Sequence, residues 1–205
     1  MEKIDLKKTL GTYKAKINKP ELITAAAMNY LMIDGKGDPN HSKDFQDAIE
    51  TLYSVAYTLK FMVKKGLIGV DYGVMPLEAL WWADDMNDFT AGKKENWHWT
   101  AMILQPDIIT NDLYREAKIL AVSRKELVAI DQLRFEQFKE GTCAQVLYIG
   151  PYCKEKETII SLHNFIKDQG YQLTGKHHEI YLNDARRTAE AKLKTIIRQQ
   201  VTKKK

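Results

Sequence analysis

The chain has 205 residues, 44% of them hydrophobic, and its 31 basic against 27 acidic residues leave a net charge of +4. That is enough apolar material to bury a core in one domain or two fused half-domains. It is too mild a basic excess, without helix-turn-helix or zinc-ligand spacing, to point to nucleic acid. No signal-peptide core and no run of about 18 apolar residues is present, so neither secretion nor a membrane span is expected, and the protein reads as cytoplasmic.

Residues 1–20 read as a polar lead-in. Met28–Ile33 is strand-like and ends in the turn set Asp34–Asn40; Gly35-Lys36-Gly37 lacks the spacing of a phosphate loop and reads as part of that turn. Ser42 is placed to cap a long helix whose apolar stripe runs Phe45, Ile49, Leu52, Ala56, Leu59 and Val63, with Gly66 as a left-handed stop. Val70–Trp82 reads as strand interrupted at Pro76, Asp84–Asn96 as an exposed loop, and Trp97–Leu104 as a further strand.

A bridging helix is predicted over Asn111–Val128, with Asn111 or Thr110 as its cap. Leu133–Phe138 and Cys143–Ile149 then pattern as a hairpin around Lys139-Glu140-Gly141. Lys154–Gln169 repeats helical spacing through Ile159, Leu162 and Ile166 up to Gly170. The strand Glu179–Leu182, a helical turn near Thr188 and a last strand Thr195–Val201 follow; Lys203–Lys205 reads as a solvated end. Cys143 and Cys153 stand ten apart without ligand-spaced partners and are expected to stay reduced.

Strand, turn, helix, strand, strand thus occurs twice, each time with one glutamate in the middle strand, Glu78 and Glu179. The expected fold is α+β: two tandem strand-helix-strand-strand modules with pseudo-twofold symmetry, an antiparallel sheet with helices on one face, and a ligand cleft. One domain spans 1–205, with the first module at about 20–108 and the bridging helix and second module at about 109–201.

Strand alternation puts Glu179 and Tyr181 on one face and His178, Ile180 and Leu182 on the other. The same rule groups Glu78, Leu80 and Trp82, and separately Trp97 and Trp99. One surface could then collect two carboxylates, a phenol and up to three indoles. A glutamate half-buried among indoles loses solvation, which raises its pKa and makes it a better base, and a nearby tyrosine hydroxyl can donate to a substrate carbonyl. The plainer alternative is a solvated cross-strand glutamate, with Trp81 and Tyr148 filling the core. His177-His178 lacks metal-ligand spacing and reads as a solvated turn, and no metal or cofactor is implied.

Four separated motifs carry a family resemblance: Ile33-Asp34-Gly35-Lys36-Gly37-Asp38-Pro39, Met75-Pro76-Leu77-Glu78-Ala79-Leu80-Trp81-Trp82, Tyr148-Ile149-Gly150-Pro151-Tyr152, and His178-Glu179-Ile180-Tyr181-Leu182-Asn183-Asp184 with Arg186-Arg187 beyond it. Together, over about residues 20–201, they resemble the GyrI-like small-molecule-binding proteins, and more narrowly the stand-alone branch that includes cyclopropanoid cyclopropyl hydrolases. Ala79 stands where the resemblance would place glycine.

The resemblance implies a small aromatic or cyclopropane-bearing ligand. It implies Glu179 at the centre of the site, where relatives either face a cationic aromatic compound or, with a tyrosine, add water to the strained ring of a DNA-alkylating natural product. Tyr181 is the matching tyrosine. Glu78, Trp82, Trp97, Trp99, Tyr148 and Tyr152 are the ligand-binding candidates. No direct contact with nucleic acid or membrane is expected, and inhibition of gyrase, which the family name suggests, is the weakest reading.

Overall fold

The computed structural model describes residues 3–85 and 92–204. In chain order these form β1 (Lys3–Ile4), α1 (Leu6–Thr9), β2 (Glu21–Lys36), α2 (Lys43–Lys65), β3 (Asp71–Tyr72), β4 (Glu78–Ala83) and β5 (Trp97–Gln105). Next come α3 (Asn111–Val122), β6 (Arg134–Ile149), α4 (Lys156–Asp168), β7 (Tyr171–Tyr181) and β8 (Lys194–Lys203). The class is α+β, and the pairs β2–β5, β6–β8 and β7–β8 are all antiparallel. Among the described residues no helix is long and apolar enough to cross a membrane.

Two compact units divide the chain. One holds residues 1–9, 28–77 and 81–138; the other holds 10–27, 78–80 and 139–205. In the first, β2 pairs with β5 from Asn29↔Gln105 to Lys36↔His98. The Ser42 hydroxyl accepts from the Phe45 N–H at 3.2 Å and so starts α2, as its position predicts. The buried stripe of α2 takes in Ala48 and Val55 besides Phe45, Leu52, Ala56, Leu59 and Val63. Gly66 ends the helix, but with φ −86° rather than in the left-handed region. What excludes a side chain there is crowding: a Cβ would stand 2.6 Å from the Met62 carbonyl oxygen.

Several predicted boundaries shift. The segment Val70–Trp82 holds two strands, β3 and β4, with Pro76 between them. β3 pairs in parallel with β1, so the expected lead-in begins with a strand. Helix α3 stops at Val122, six residues before the expected end, and Thr110 is its cap, accepting from the Leu113 N–H at 3.3 Å. The loop expected over Asp84–Asn96 lies partly outside the described residues, at 86–91.

The hairpin predicted from Leu133–Phe138 and Cys143–Ile149 does not form. β6 is one strand of sixteen residues and carries Gly141, at φ +76°, without reversing. Buried side-chain bonds made by Glu140, described below, hold the chain in the sheet at that point. In the second unit β8 lies between β7 and β6. Leu162 and Ile166 of α4 pack on Ala144, Val146, Tyr148, Ile197 and Val201, which gives this unit its own apolar core. The turn expected near Thr188 is a single 3₁₀ turn at Glu190–Lys192.

Gly35 pairs with Trp99, whose ring occupies the space a side chain would need: a Cβ at Gly35 would fall 2.1 Å from Trp99 Cζ2. Trp99 is 1% exposed and cannot swing aside into solvent. Gly35→Ala should therefore cost about 1–3 kcal/mol by overpacking. A urea unfolding curve checks this, and an unshifted midpoint would show that the indole can yield.

Candidate functional site

The second unit places two different clusters on the two faces of β7. His177, Glu179 and Tyr181 follow one another at alternate positions and share a face, while His178 and Ile180 point the other way. The Tyr181 hydroxyl donates to Glu179 Oε2 at 2.7 Å, and His177 Nε2 lies 3.2 Å from Glu179 Oε1. Glu155, just ahead of α4, also hydrogen-bonds the Glu179 carboxyl. The Tyr152 ring meets the Tyr181 ring edge-on, with centroids 5.4 Å apart. The Glu179 side chain is 11% exposed.

The expectation of a raised glutamate pKa is reversed. Burial does push the Glu179 carboxyl up, but the hydrogen bond and charge of His177, with the bonds from Tyr181 and Glu155, outweigh it and hold the group below its ordinary value. The neighbours that bond to it are the imidazole of His177, the phenol of Tyr181 and the carboxyl of Glu155. The Tyr152 phenol is pushed up to about 12, first by burial and then by the charges of Glu179, Glu155 and Asp184. The site therefore offers an ionised carboxylate flanked by protonated phenols: a proton acceptor beside hydrogen-bond donors, or an anionic seat with aromatic walls.

On the opposite face His178 is fully buried. Its Nδ1 lies 3.0 Å from Glu140 Oε1 and its Nε2 3.0 Å from Glu78 Oε2. A ring that donates from both nitrogens to carboxylates is an imidazolium. Burial would lower its pKa, but the charge and hydrogen bond of Glu140, and the bond to Glu78, raise it to about 9. Glu140, which burial would raise, is held at about 2 by His178 and Arg198. Arg198 donates from Nη1 to Glu140 at 2.9 Å and from Nη2 to the Thr12 carbonyl at 2.6 Å, while Tyr13 donates its hydroxyl proton to Glu78. Glu78 is thus bonded to His178, on the side of β7 away from Glu179. The solvated turn expected at His177-His178 is instead the buried middle of a strand, with the two residues 3% and 0% exposed. Among the described residues no group of three His, Cys, Asp or Glu side chains could hold a metal ion.

The remaining candidates have other neighbours. Tyr148, in the apolar core of the second unit, donates its hydroxyl to the Pro151 carbonyl at 2.9 Å. The indoles belong to the first unit. Trp82 stacks on His98 at 5.5 Å, and Trp97 meets Trp81 edge-on with Lys94 above it. Trp99 packs against Phe45 at 4.9 Å. Of the predicted residues, Tyr181 bonds to Glu179 and Tyr152 packs on Tyr181. The residues that sequence reasoning missed are His177 and Glu155 beside Glu179, and Tyr13, Glu140, His178 and Arg198 around Glu78. Only His177 left a signal, its two-residue spacing from Glu179.

Residues 18–200 match the profile of the GyrI-like small molecule binding domain. This chain belongs to the GyrI-like family. Its fold is also close to that of three Listeria innocua proteins. One, described as an uncharacterized conserved protein, is 39% identical over 97% of this chain and 100% of its own, with a TM-score of 0.87. Two described as hydrolases are 38% and 37% identical over 97% and 98% of this chain and all of theirs, with TM-scores of 0.84 and 0.85. A comparison with curated proteins gives no match.

The buried charges of this GyrI-like chain make its stability depend on pH with a definite sign. The His178 contribution is complete below the unfolded pKa of 6.5 and lost as pH rises through about 9. The Glu140 contribution is complete above 4.5 and lost as pH falls through about 2. Melting temperatures should accordingly peak between about pH 4.5 and 6.5. His178→Ala, which leaves two buried carboxylates facing one arginine, should cost about 3–5 kcal/mol. It should also flatten the alkaline side of the profile, which thermal melts at graded pH would record.

Proposed function

We propose that this chain is a cytoplasmic, detoxifying hydrolase that adds water to electrophilic cyclopropane rings of DNA-alkylating natural products, acting as one GyrI-like domain of two modules, about 20–108 and 109–201. The observation that carries the reading is the largely buried Glu179 carboxylate, held ionised, with a phenol donating to it at hydrogen-bond distance. Support also comes from the Listeria innocua relatives described as hydrolases.

In this reading Glu179 takes a proton from a water molecule as the water oxygen bonds to the ring methylene carbon. The ring carbon–carbon bond breaks, and its electron pair passes into the conjugated carbonyl. Tyr181 turns its hydroxyl from Glu179 to that oxygen, stabilises the developing enolate and delivers a proton to it; the proton on Glu179 then returns the phenol to its starting state. A lowered pKa makes Glu179 a weaker base than the desolvated carboxylate expected from sequence, but keeps it ionised and ready at neutral pH. Donors preorganised at a developing oxyanion carry much of the barrier reduction in such reactions. Tyr152 offers a flat apolar wall beside Tyr181.

The same charge favours a second reading, a binder that sequesters cationic aromatic compounds on Glu179, Tyr181 and Tyr152 without altering them. Mass spectrometry after incubation with a cyclopropane-bearing alkylator separates the two: hydrolysis yields the adduct of one water, and sequestration returns the compound unchanged. Glu179→Gln should retain binding, followed by tyrosine and tryptophan fluorescence, and lose turnover by about 10²-fold or more. Full turnover in that variant would dispose of Glu179 as the base.

A further inference from the structure

His177 has no part in the reaction as written, yet it touches the residue that does the work. A histidine 3% exposed has given up its hydration, and the polar contact it makes in return includes Glu179 Oε1 at 3.2 Å. Tyr181 holds the other oxygen of the same carboxylate. Each oxygen of Glu179 is therefore engaged by a side chain two residues to one side of it on the same strand face, and Glu155 adds a further bond.

The backbone is shaped to put His177 there. The pairing of β7 with β8 is regular up to Leu173↔Val201 and resumes at His177↔Gln199, with an irregularity between. Gly175 takes φ +63° within it, and a Cβ there would fall 2.0 Å from Gln200 Oε1. Gln199 Nε2 donates to the Thr174 carbonyl at 2.7 Å, and Gln200 Nε2 donates to the Glu140 carbonyl at 2.7 Å. Bulges of this kind re-aim the side chains that follow them. From α4, His163 faces the same region, its pKa lowered to about 4 by burial, by His177 and by Lys167, so it stays neutral and adds no competing charge.

We propose that His177 is the positioning residue of Glu179: it fixes the rotamer of the carboxylate and keeps it ionised when Tyr181 turns its hydroxyl to the substrate. The proposal rests on the hydrolase reading. At that moment Glu179 loses one donor while the arriving substrate removes water, and both changes favour protonation of the base. The hydrogen bond from His177 Nε2 persists on the same strand face, beside the bond from Glu155. Facing the pair are Glu155 and Tyr152, ahead of α4, and His163 on it. Glu155 bonds to Glu179, and Tyr152 senses the charge of Glu179.

The test compares His177→Phe, which keeps a ring but no donor, with His177→Gln, whose amide N–H can take the place of Nε2. Water addition to the alkylator is followed against pH. His177→Phe should shift the acid limb of kcat/KM to higher pH by about one unit, lowering the rate on that limb about tenfold, with little change in KM. His177→Gln should recover much of the loss. A purely structural role would lower the yield of active protein and leave the limb where it was. With the wild type active, an unmoved limb in His177→Phe overturns the proposal alone; a wild type that adds no water overturns the hydrolase reading and the proposal with it.

Should His177→Phe fail to fold, nitrogen-15 imidazole spectra of the wild type and Glu179→Gln decide the matter. A proton on Nε2 and a displaced Nε2 resonance on Glu179→Gln are expected. An Nε2 resonance identical in the two proteins overturns the proposal.

Discussion

An imidazolium without access to water, gripped at both nitrogens by carboxylates, is the interaction on which the second unit depends. His178 carries a charge because Glu78 and Glu140 each accept from it, and Arg198 supplies the second positive charge that balances them. Two anions and two cations then close a neutral set. Buried pairs of this sort contribute little beyond what apolar side chains of the same volume would, but losing one member leaves an uncompensated charge in a dry interior. The set is therefore better understood as a fastener than as a source of stability. It joins the start of β4, β6, β7 and β8, and through Tyr13 and the Thr12 carbonyl it pins the segment ahead of β2 to them.

That fastener bears directly on the chemistry of the other face. A strand cannot slide by one residue without exchanging its faces, so clamping His178 on one side fixes which side Glu179 occupies. His177 and Tyr181 then reach the two oxygens of the same carboxylate. The contrast between the faces is one of completeness. Around His178 the charges balance and are shut in. Around Glu179 the carboxylate is held ionised by neighbours, His177, Tyr181 and Glu155, of which Tyr181 can also turn to a ligand. A site for a small electrophile or a cation needs that second condition.

Much of the fold was legible in the sequence where local rules act alone. The Ser42 cap, the α2 stripe, the repeated strand-helix-strand-strand order and the shared face of Glu179 and Tyr181 all follow from periodicity or capping chemistry within a short span. Where a distant partner decides the outcome, the pattern misled. Lys139-Glu140-Gly141 carries a turn composition, yet Glu140 is drawn into the sheet by His178 and Arg198, which lie 38 and 58 residues further on. Residues 10–20 look polar and idle because the carboxylate that Tyr13 meets lies 65 residues away.

The sequence by itself determined the α+β class, the family motifs and the pairing of an acid with a phenol, because the two-residue period of a strand needs no information from elsewhere in the chain. Only the tertiary structure decided the state of that acid. A carboxylate's pKa is the sum of what burial removes and what neighbours return, and those neighbours arrive from β7 and the approach to α4 at once. Composition suggested a desolvated glutamate with a raised pKa. Folding produced one held ionised, first by His177, with Glu78 bonded to His178 by a pairing that no local pattern encodes.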